Sequence, residues 1–573
     1  SSSRDKIWYI MNTIQANQLF VHSKVLKVQY AAGKQLSFEG GKKQKNKVVT
    51  KNLPEILTIC VLNSLVPNSA MLLIGGHGGG KTSIVKYLGR MMTGISLSEA
   101  EECILRAHPQ LTEEKIIATL NIAKLMNNGE EEVIWRKFST SFWKIIDEVN
   151  RCSPYTQNIL LSLLAEGKIK YYDSVNEVSK YCLYATLNPN DVGTFEMSPP
   201  FLDRFGISIP ISMPKTQDLS VILESRDDKL GSYDELTEVP AVLTEEQLLN
   251  IWFEVSNVPC SEEAEDFIHA IIREYTLCER IEKGNSDYLK PSTGLCSGCH
   301  FHIPDKIPCN NSDSILSVRA AKDLLRYSRA LAWLLGLKEV TINNVVTVAP
   351  YILSHRVDYL ERRLNKAPFW GSSYEFTKNV VDMILKRYNT RKKSYDIIKK
   401  FRNGKYSGED MKVLRRMSKN DLIVKMDLMP LAEKLADNDY QDVVKKIQSA
   451  NQKKKVKDLA DIRKDLLKEM DFPNRGELIA RTNNYLRALT INTYNCSMQV
   501  WNSIRFTIDG MFPQFAKKLK ETTEKRGTFR LRTEEIELEI NVTGTKQYDY
   551  VNFSFFGGKI ADDLKNAIET NHE

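Results

Sequence analysis

The chain has 573 residues, about four times the typical domain length, so two to four domains are expected. Apolar residues make up 42% and charged residues 27%, which excludes a largely disordered chain. Lys and Arg number 80 against 72 Asp and Glu; the resulting +8 permits a nucleic-acid or acidic partner without requiring one. The longest apolar stretch, Leu57–Ile74, is broken by Asn63, Ser64, Pro67 and Asn68, so no transmembrane span is expected. The sequence begins Ser1-Ser2-Ser3 with no apolar run behind it, unlike a signal peptide. Ten scattered cysteines are too few for a disulfide scaffold and fit a reducing, cytoplasmic setting.

Residues 1–50 read as a polar extension ending in the Gly- and Lys-rich loop 40–47. Leu53–Leu65 carries apolar residues at helical spacing, and Ala70–Ile74 is a short apolar run stopped by glycines. Strand-length apolar runs then alternate with helical stretches at Cys103–Ala107, Trp143–Ile146, Tyr181–Ala185 and Ile207–Ile211. That alternation predicts a parallel sheet flanked by helices over 51–215. Past Pro214 the pattern turns to amphipathic helices such as Glu262–Leu277 and Val318–Leu335, a helical domain over 216–362 interrupted by a Cys/His-bearing loop at 284–314. Residues 363–573 are Lys-rich and helical, then change. Ile536, Leu538, Ile540 and Val542 alternate with polar residues, flanked by Phe529/Leu531 and Val551/Phe553/Phe555. Period two over three segments predicts a small antiparallel β element, with a helix over Lys559–Glu569 behind it.

Four constellations carry chemistry. Gly75-Gly76-His77-Gly78-Gly79-Gly80-Lys81-Thr82 fits G-x-x-x-x-G-K-[ST], after an apolar strand and before a helix that starts at Ser83. Glycines let backbone N–H groups curl around an anion, Lys81 would reach the terminal phosphates, and Thr82 would place a hydroxyl on Mg²⁺. A glycine-rich turn that binds nothing is the alternative. The apolar run Phe142–Ile146 ends in Asp147-Glu148, where Asp147 would hold Mg²⁺ and Glu148 would deprotonate the attacking water. Ala185-Thr186-Leu187-Asn188-Pro189 ends a strand in an amide that could bond that water, or simply starts an Asn-Pro turn. Leu202-Asp203-Arg204-Phe205 offers an arginine that either reaches a neighbouring subunit's phosphate or pairs with Asp203. Arg319, opening the helix Val318–Leu335, is by default a solvated residue.

These pieces, together with Asp147-Glu148-Val149-Asn150-Arg151, Gln157–Leu161 leading into Glu166-Gly167, and Leu353-Ser354-His355-Arg356, resemble the AAA+ ATPases, most closely the MoxR family of the helix-2-insert clade. The resemblance covers about residues 50 to 362. It implies an α/β fold: an αβα P-loop core with a parallel sheet and an all-α lid. It makes Gly75, Gly78, Gly79, Gly80, Lys81, Thr82 and Ser83 the Walker A residues and Asp147 and Glu148 the Walker B pair. Asn188 becomes sensor 1, Arg204 a trans-acting arginine finger and Arg319 the sensor 2 arginine. Arg151, which follows the acids, would face the interface. The cofactors implied are ATP and Mg²⁺, and the assembly a hexameric ring. The segment Leu164–Tyr181, with Lys168, Lys170, Tyr171 and Tyr172, matches the position of the helix-2 insert, a hairpin turned toward the ring centre. The phosphate loop departs from its relatives in carrying Gly76-His77 where they usually have proline.

Cys296, Cys299 and Cys309, with His302, His300 or Cys278 as a fourth ligand, could hold a structural Zn²⁺; free thiols or a disulfide are the alternatives. The Lys/Arg clusters of residues 363–573 fit solvated helix faces, or, as the functional reading, a docking module for a partner or substrate adaptor. The function expected is an ATP-driven, chaperone-like remodelling of a partner protein complex. MoxR relatives often act with a von Willebrand factor A domain protein, whose metal-site string is absent from this sequence, so another chain would supply it. The rival readings are a nucleic-acid-translocating motor and a low-turnover nucleotide-gated scaffold.

Overall fold

A computed structural model of the chain has two compact units, Ser1–Asn389 and Thr390–Glu573. It describes residues 2–31, 48–76, 78, 80–166, 168–177, 180–224, 239–276, 316–421, 423–438, 491–532, 536–544, 549–557 and 559–572. The Cys/His loop at 284–314, and with it the proposed zinc ligands Cys296, Cys299, Cys309 and His302, lies outside the described residues. Among the described residues no cluster of His, Cys, Asp or Glu could hold a metal as a group of three. No described helix is long and apolar enough to cross a membrane.

In the first unit the helix Ser3–Ala16 is started by a capping box between Ser2 and Asp5 and buries Ile7, Ile10, Met11 and Ile14. Strands β1 (Val25–Ala31) and β2 (Val48–Pro54) pair antiparallel and lead into the helix Glu55–Ser64, every residue of which is buried. The described residues of the stretch 1–50, which are 2–31 and 48–50, therefore belong to the packed body. The spacing of those four apolar residues, one face of a helix, is the signal that a reading of overall polarity hides.

The core sheet consists of β3 (Ser69–Gly75), β4 (Ile104–Arg106), β7 (Trp143–Asp147), β10 (Cys182–Leu187) and β11 (Ile207–Ile211), in the order β11-β3-β10-β7-β4. Every pairing is parallel. The inner strands are buried almost without a break, as a sheet covered on both faces requires.

Two antiparallel hairpins interrupt this core. One, β5 (Ala118–Leu120) with β6 (Val133–Trp135), encloses the helix Ile122–Asn128 and sits between the second and third core strands in chain order. The other, β8 (Lys168–Tyr171) with β9 (Ser174–Glu177), follows the helix Pro154–Glu166 and precedes β10. The hairpin expected within 164–181 therefore forms. It stands after the third core strand, however; the connection in which a second core helix would lie carries the 118–135 hairpin instead. Ile169 and Tyr171 anchor the 168–177 hairpin in the core, while Tyr172, at its turn, is exposed with a φ of 51°.

The helices Glu245–Ser256, Glu262–Thr276, Val318–Leu335 and Ile342–Leu353 form the lid. The helix Ser373–Thr390 stacks onto it through Tyr374 against Tyr351, Phe376 against Tyr359 and Tyr388 against Phe267. The first helix is tied to the lid as well, Arg4 Nε donating to Trp333 O at 2.6 Å and Trp8 Nε1 to Leu334 O at 3.0 Å.

In the second unit come the helices Lys392–Arg402 and Gly408–Ser418; Phe401 of the first stacks on Tyr406 of the connection between them, and Arg391 pairs with Asp421 at 2.6 Å. Toward the C-terminus β13 (Thr528–Arg532), β14 (Ile536–Gly544) and β15 (Asp549–Gly557) make the expected antiparallel element, joined by a fourth strand, β12 (Asn492–Ser497), beside β15. Trp501, Ile504 and Ile508 of the helix Met498–Met511 and Leu564 and Ile568 of the helix Lys559–His572 share its apolar core. β12 escapes the period-two reading because only Tyr494 and Cys496 mark its inner face.

Lys144 of β7 is fully buried, and its ammonium donates to the carbonyls of Phe138 (2.5 Å) and Ser139 (2.9 Å). Burial pushes its pKa down to about 7. The unfolded lysine titrates near about 10.4, so unfolding takes up a proton between those values and Lys144 adds stability as pH rises through that window. Replacing Lys144→Met should therefore shift the melting temperature relative to wild type most favourably near pH 6. The difference should move back toward wild type by pH 10; a pH-independent difference in thermal denaturation would contradict the assignment.

Candidate nucleotide site

β3 delivers the chain to the phosphate loop, and the helix Lys81–Thr93 carries it away. Gly78 and Gly80 take φ values of 77° and 70°, the left-handed region that favours glycine. At Gly75 the limit is space, since a Cβ there would stand 2.6 Å from the carbonyl oxygen of Ile211. No side chain caps the helix start, which leaves its first N–H groups for an anion. His77 and Gly79 lie outside the described residues. Lys81 bends back over the loop, its Nζ donating to the carbonyls of Gly75 and Gly76. Burial lowers its pKa, and the nearby Asp147 and Glu148 charges work against that shift.

β7 and β10 end beside this loop because the strands are parallel and in register. Asp147 Oδ1 accepts from Thr186 Oγ1 at 2.8 Å and from Thr82 Oγ1 at 3.4 Å. Its Oδ2 lies 3.6 Å from the Arg106 guanidinium at the end of β4. Glu148 adopts a left-handed φ of 57°, and its N–H donates to Thr186 Oγ1 at 2.9 Å. The Glu148 carboxylate pairs with Arg151 at 3.2 Å; Arg151 is in turn held by Asp191 at 2.5 Å. Asn188 is buried; its Oδ1 accepts the N–H of Asn190, a local turn, and its carbonyl receives Asn150 Nδ2 at 2.8 Å. Lys81, Thr82, Ser83, Asp147, Glu148 and Asn188 thus gather at the carboxyl edge of one sheet.

Arg204 and Arg319 do not join them. The Gly206 N–H bonds Ala70 O at 2.9 Å, and β11 then runs alongside β3 until Ile211 faces Gly75. The Asp203–Arg204 turn therefore lies at the amino edge, the length of β3 away from the phosphate loop, about 16 Å at about 3.3 Å per residue. At that edge Asp203 accepts from Ser317 Oγ (2.8 Å), Arg319 (2.7 Å) and Arg356 Nε (3.0 Å). Arg356, almost fully buried, also bonds Asp323 at 2.5 Å. The partner of Asp203 is thus the lid and not its neighbour in sequence. Arg204 makes no ion pair with a carboxylate among the described residues, and burial, then the Arg319 charge, lowers its pKa. His355 belongs to the same joint. Its Nε2 bonds Phe205 O at 2.5 Å, and burial pushes its pKa down to about 3, so it stays neutral.

Three site residues escaped the sequence reading. Thr186 is the hydroxyl just before the end of an otherwise buried strand, a visible but unassigned signal. Asp191, the Arg151 partner, follows the Asn-Pro turn by two residues. Phe20, whose ring lies 3.6 Å from where a Gly80 Cβ would stand, comes from the segment after the first helix and parallels the His22 ring at 8°. No motif marks it.

Removing the Asp203 charge from the joint should be costly, because the buried Arg356 guanidinium would lose one of its two carboxylate partners and an amide N–H would stand where an oxygen now accepts from Arg319. Asp203→Asn should lower stability by about 1.5–3 kcal/mol, the worth of a hydrogen bond to a charged group. Thermal denaturation reads this as a lower melting temperature; an unchanged one would show that the lid is held elsewhere.

Residues 70–205 match the AAA domain of the dynein-related subfamily, and residues 314–368 match the AAA lid domain. The magnesium-chelatase 38 kDa subunit of Cereibacter sphaeroides is 24% identical over 199 residues, 29% of this chain and 59% of that protein. An uncharacterized protein of Mycobacterium tuberculosis is 23% identical over 155 residues, 26% of this chain and 24% of that protein. The matches thus span less than two thirds of both curated relatives. A crystal structure of a provisionally assigned ATPase from Cytophaga hutchinsonii aligns with a TM-score of 0.46 and 19% identity, covering 67% of this chain and 96% of that one. The chain carries an AAA+ ATPase domain, an AAA nucleotide-binding core followed by an AAA lid.

Proposed function

We propose that the chain is a ring-forming ATPase of the MoxR type, hydrolysing ATP at subunit interfaces to remodel or assemble a partner protein complex. The observation that carries this reading is the division of the site between two edges of one sheet. Lys81, Thr82, Asp147, Glu148 and Asn188 serve the nucleotide of their own subunit. Arg204, with Arg319 beside it, serves the nucleotide of the next. Such a division completes itself in a closed ring, by family resemblance a hexamer.

Within one site, the loop at Gly75–Lys81 wraps the phosphates and the Lys81 ammonium leaves its carbonyl partners for them. Thr82 and Asp147 offer two hard oxygen donors at the mouth of the loop, a donor set that suits Mg²⁺. When bound, the cation supplies charge neutralisation on the phosphates. Glu148 accepts the proton of the attacking water, its carboxylate held by Arg151 at 3.2 Å. Asn188, its Oδ1 engaged in the turn, donates through Nδ2 to orient that water. The Phe20 ring offers a flat apolar face for the base. The exposed tip of the 168–177 hairpin would meet the substrate, and residues 363–573 would dock the partner, a von Willebrand factor A domain on another chain being one candidate.

Lys81→Ala should abolish ATP binding, measured with a fluorescent nucleotide. Glu148→Gln should bind ATP normally yet hydrolyse it at least about a hundredfold more slowly, the usual loss for a general base. Mixing Arg204→Ala subunits with Glu148→Gln subunits should restore part of the lost hydrolysis, because each supplies what the other lacks. No recovery would count against the finger acting across the interface. Strong stimulation by single-stranded nucleic acid, falling steeply with salt, would replace the chaperone reading by a motor.

A further inference from the structure

We infer that Thr186 is a positioning residue for hydrolysis, orienting both acids of the site through one hydroxyl. The inference rests on the ATPase reading and adds to it a residue that acts through Asp147 and Glu148.

A hydroxyl has one proton to give and two lone pairs to receive. Here the proton goes to Asp147 Oδ1 at 2.8 Å, and a lone pair receives the Glu148 N–H at 2.9 Å. Thr186 is 2% exposed and lies in β10, whose Ala185 pairs with Ile146 of β7, so the hydroxyl is held by two paired strands. Both acids are thereby constrained, each in a different way. The Asp147 carboxylate is fixed about the oxygen that also faces Thr82 at 3.4 Å, which leaves its other oxygen toward Arg106. Glu148 is constrained through its backbone. A non-glycine residue at a φ of 57° needs support from its surroundings, and the bond from its N–H to Thr186 supplies it. The direction of the Glu148 side chain follows from that turn. The neighbouring guanidiniums each reach one carboxylate of the pair: Arg106, which also pairs with Glu101 at 2.6 Å, lies 3.6 Å from Asp147, and Arg151 lies 3.2 Å from Glu148.

Replacing the hydroxyl by a methyl group keeps the shape of the side chain and removes both bonds. Outer-shell partners of metal ligands typically cost about 10–100-fold in metal affinity or activity when lost. Thr186→Val should therefore lower kcat by about that factor and raise the Mg²⁺ concentration needed for half-maximal hydrolysis. Binding of a fluorescent ATP analogue in EDTA should stay at the wild-type level, since the phosphate loop is untouched. Thr186→Ser, which restores the hydroxyl, should recover activity to within a few-fold of wild type.

The test compares wild type, Thr186→Val, Thr186→Ala and Thr186→Ser by steady-state hydrolysis across a Mg²⁺ titration, with thermal denaturation alongside. A Val variant with the wild-type rate and the wild-type Mg²⁺ requirement would overturn the inference. So would a Ser variant no better than Ala, a comparison that decides the matter even if the Val variant does not fold. Wild-type protein that binds and hydrolyses no ATP under any condition would sink the ATPase reading itself, an outcome visible without any variant.

Discussion

The common direction of five strands governs this molecule. Because β11, β3, β10, β7 and β4 run parallel, three strand ends that are far apart in sequence open at one edge. Gly75, Asp147 and the turn at Asn188 are brought together by register alone, before any side chain interacts. The same rule sends the start of β11, and with it Asp203 and Arg204, to the opposite edge. A phosphate-binding loop, a pair of acids and a polar strand end are thus collected in one place. Arg204 stands the length of β3 away from them.

The amino edge is as heavily built as the carboxyl edge. Asp203 gathers Ser317, Arg319 and Arg356 from the lid, and Arg356 passes the connection to the buried Asp323. Ser317 also caps the helix Val318–Leu335, accepting the Ala320 N–H, so the start of that lid helix and the Asp203 turn form one unit. Arg204 stands in the middle of this charge network without a carboxylate partner among the described residues. Such buried ion pairs add little net stability, but breaking one is expensive, so they hold a geometry better than they hold a fold.

Much of this was legible in the sequence, and the physical reasons are particular. The phosphate loop declares itself because glycine and lysine sit at fixed offsets after an apolar strand. The β element at 528–557 is visible because Ile536, Leu538, Ile540 and Val542 keep strict alternation. The hairpin at 168–177 is found, though its place in the core order becomes clear only when strands are counted in space. Less visible were features that depend on tertiary partners. Ile7, Ile10, Met11 and Ile14 are diluted by polar neighbours, and the helix Ser373–Thr390 joins the lid through aromatic stacking that no local pattern announces. The arginines illustrate the limit most clearly. Asp203 stands beside Arg204 in sequence, yet its hydrogen bonds go to Arg319 and Arg356, more than a hundred residues away.

The most direct test of a site divided between two sheet edges is the rate of ATP turnover per subunit as a function of protein concentration, followed together with particle mass. The account predicts a rate near zero for the dispersed chain that climbs as assemblies form and then levels off. A rate per subunit that is already maximal in the monomer and unaffected by assembly would contradict it.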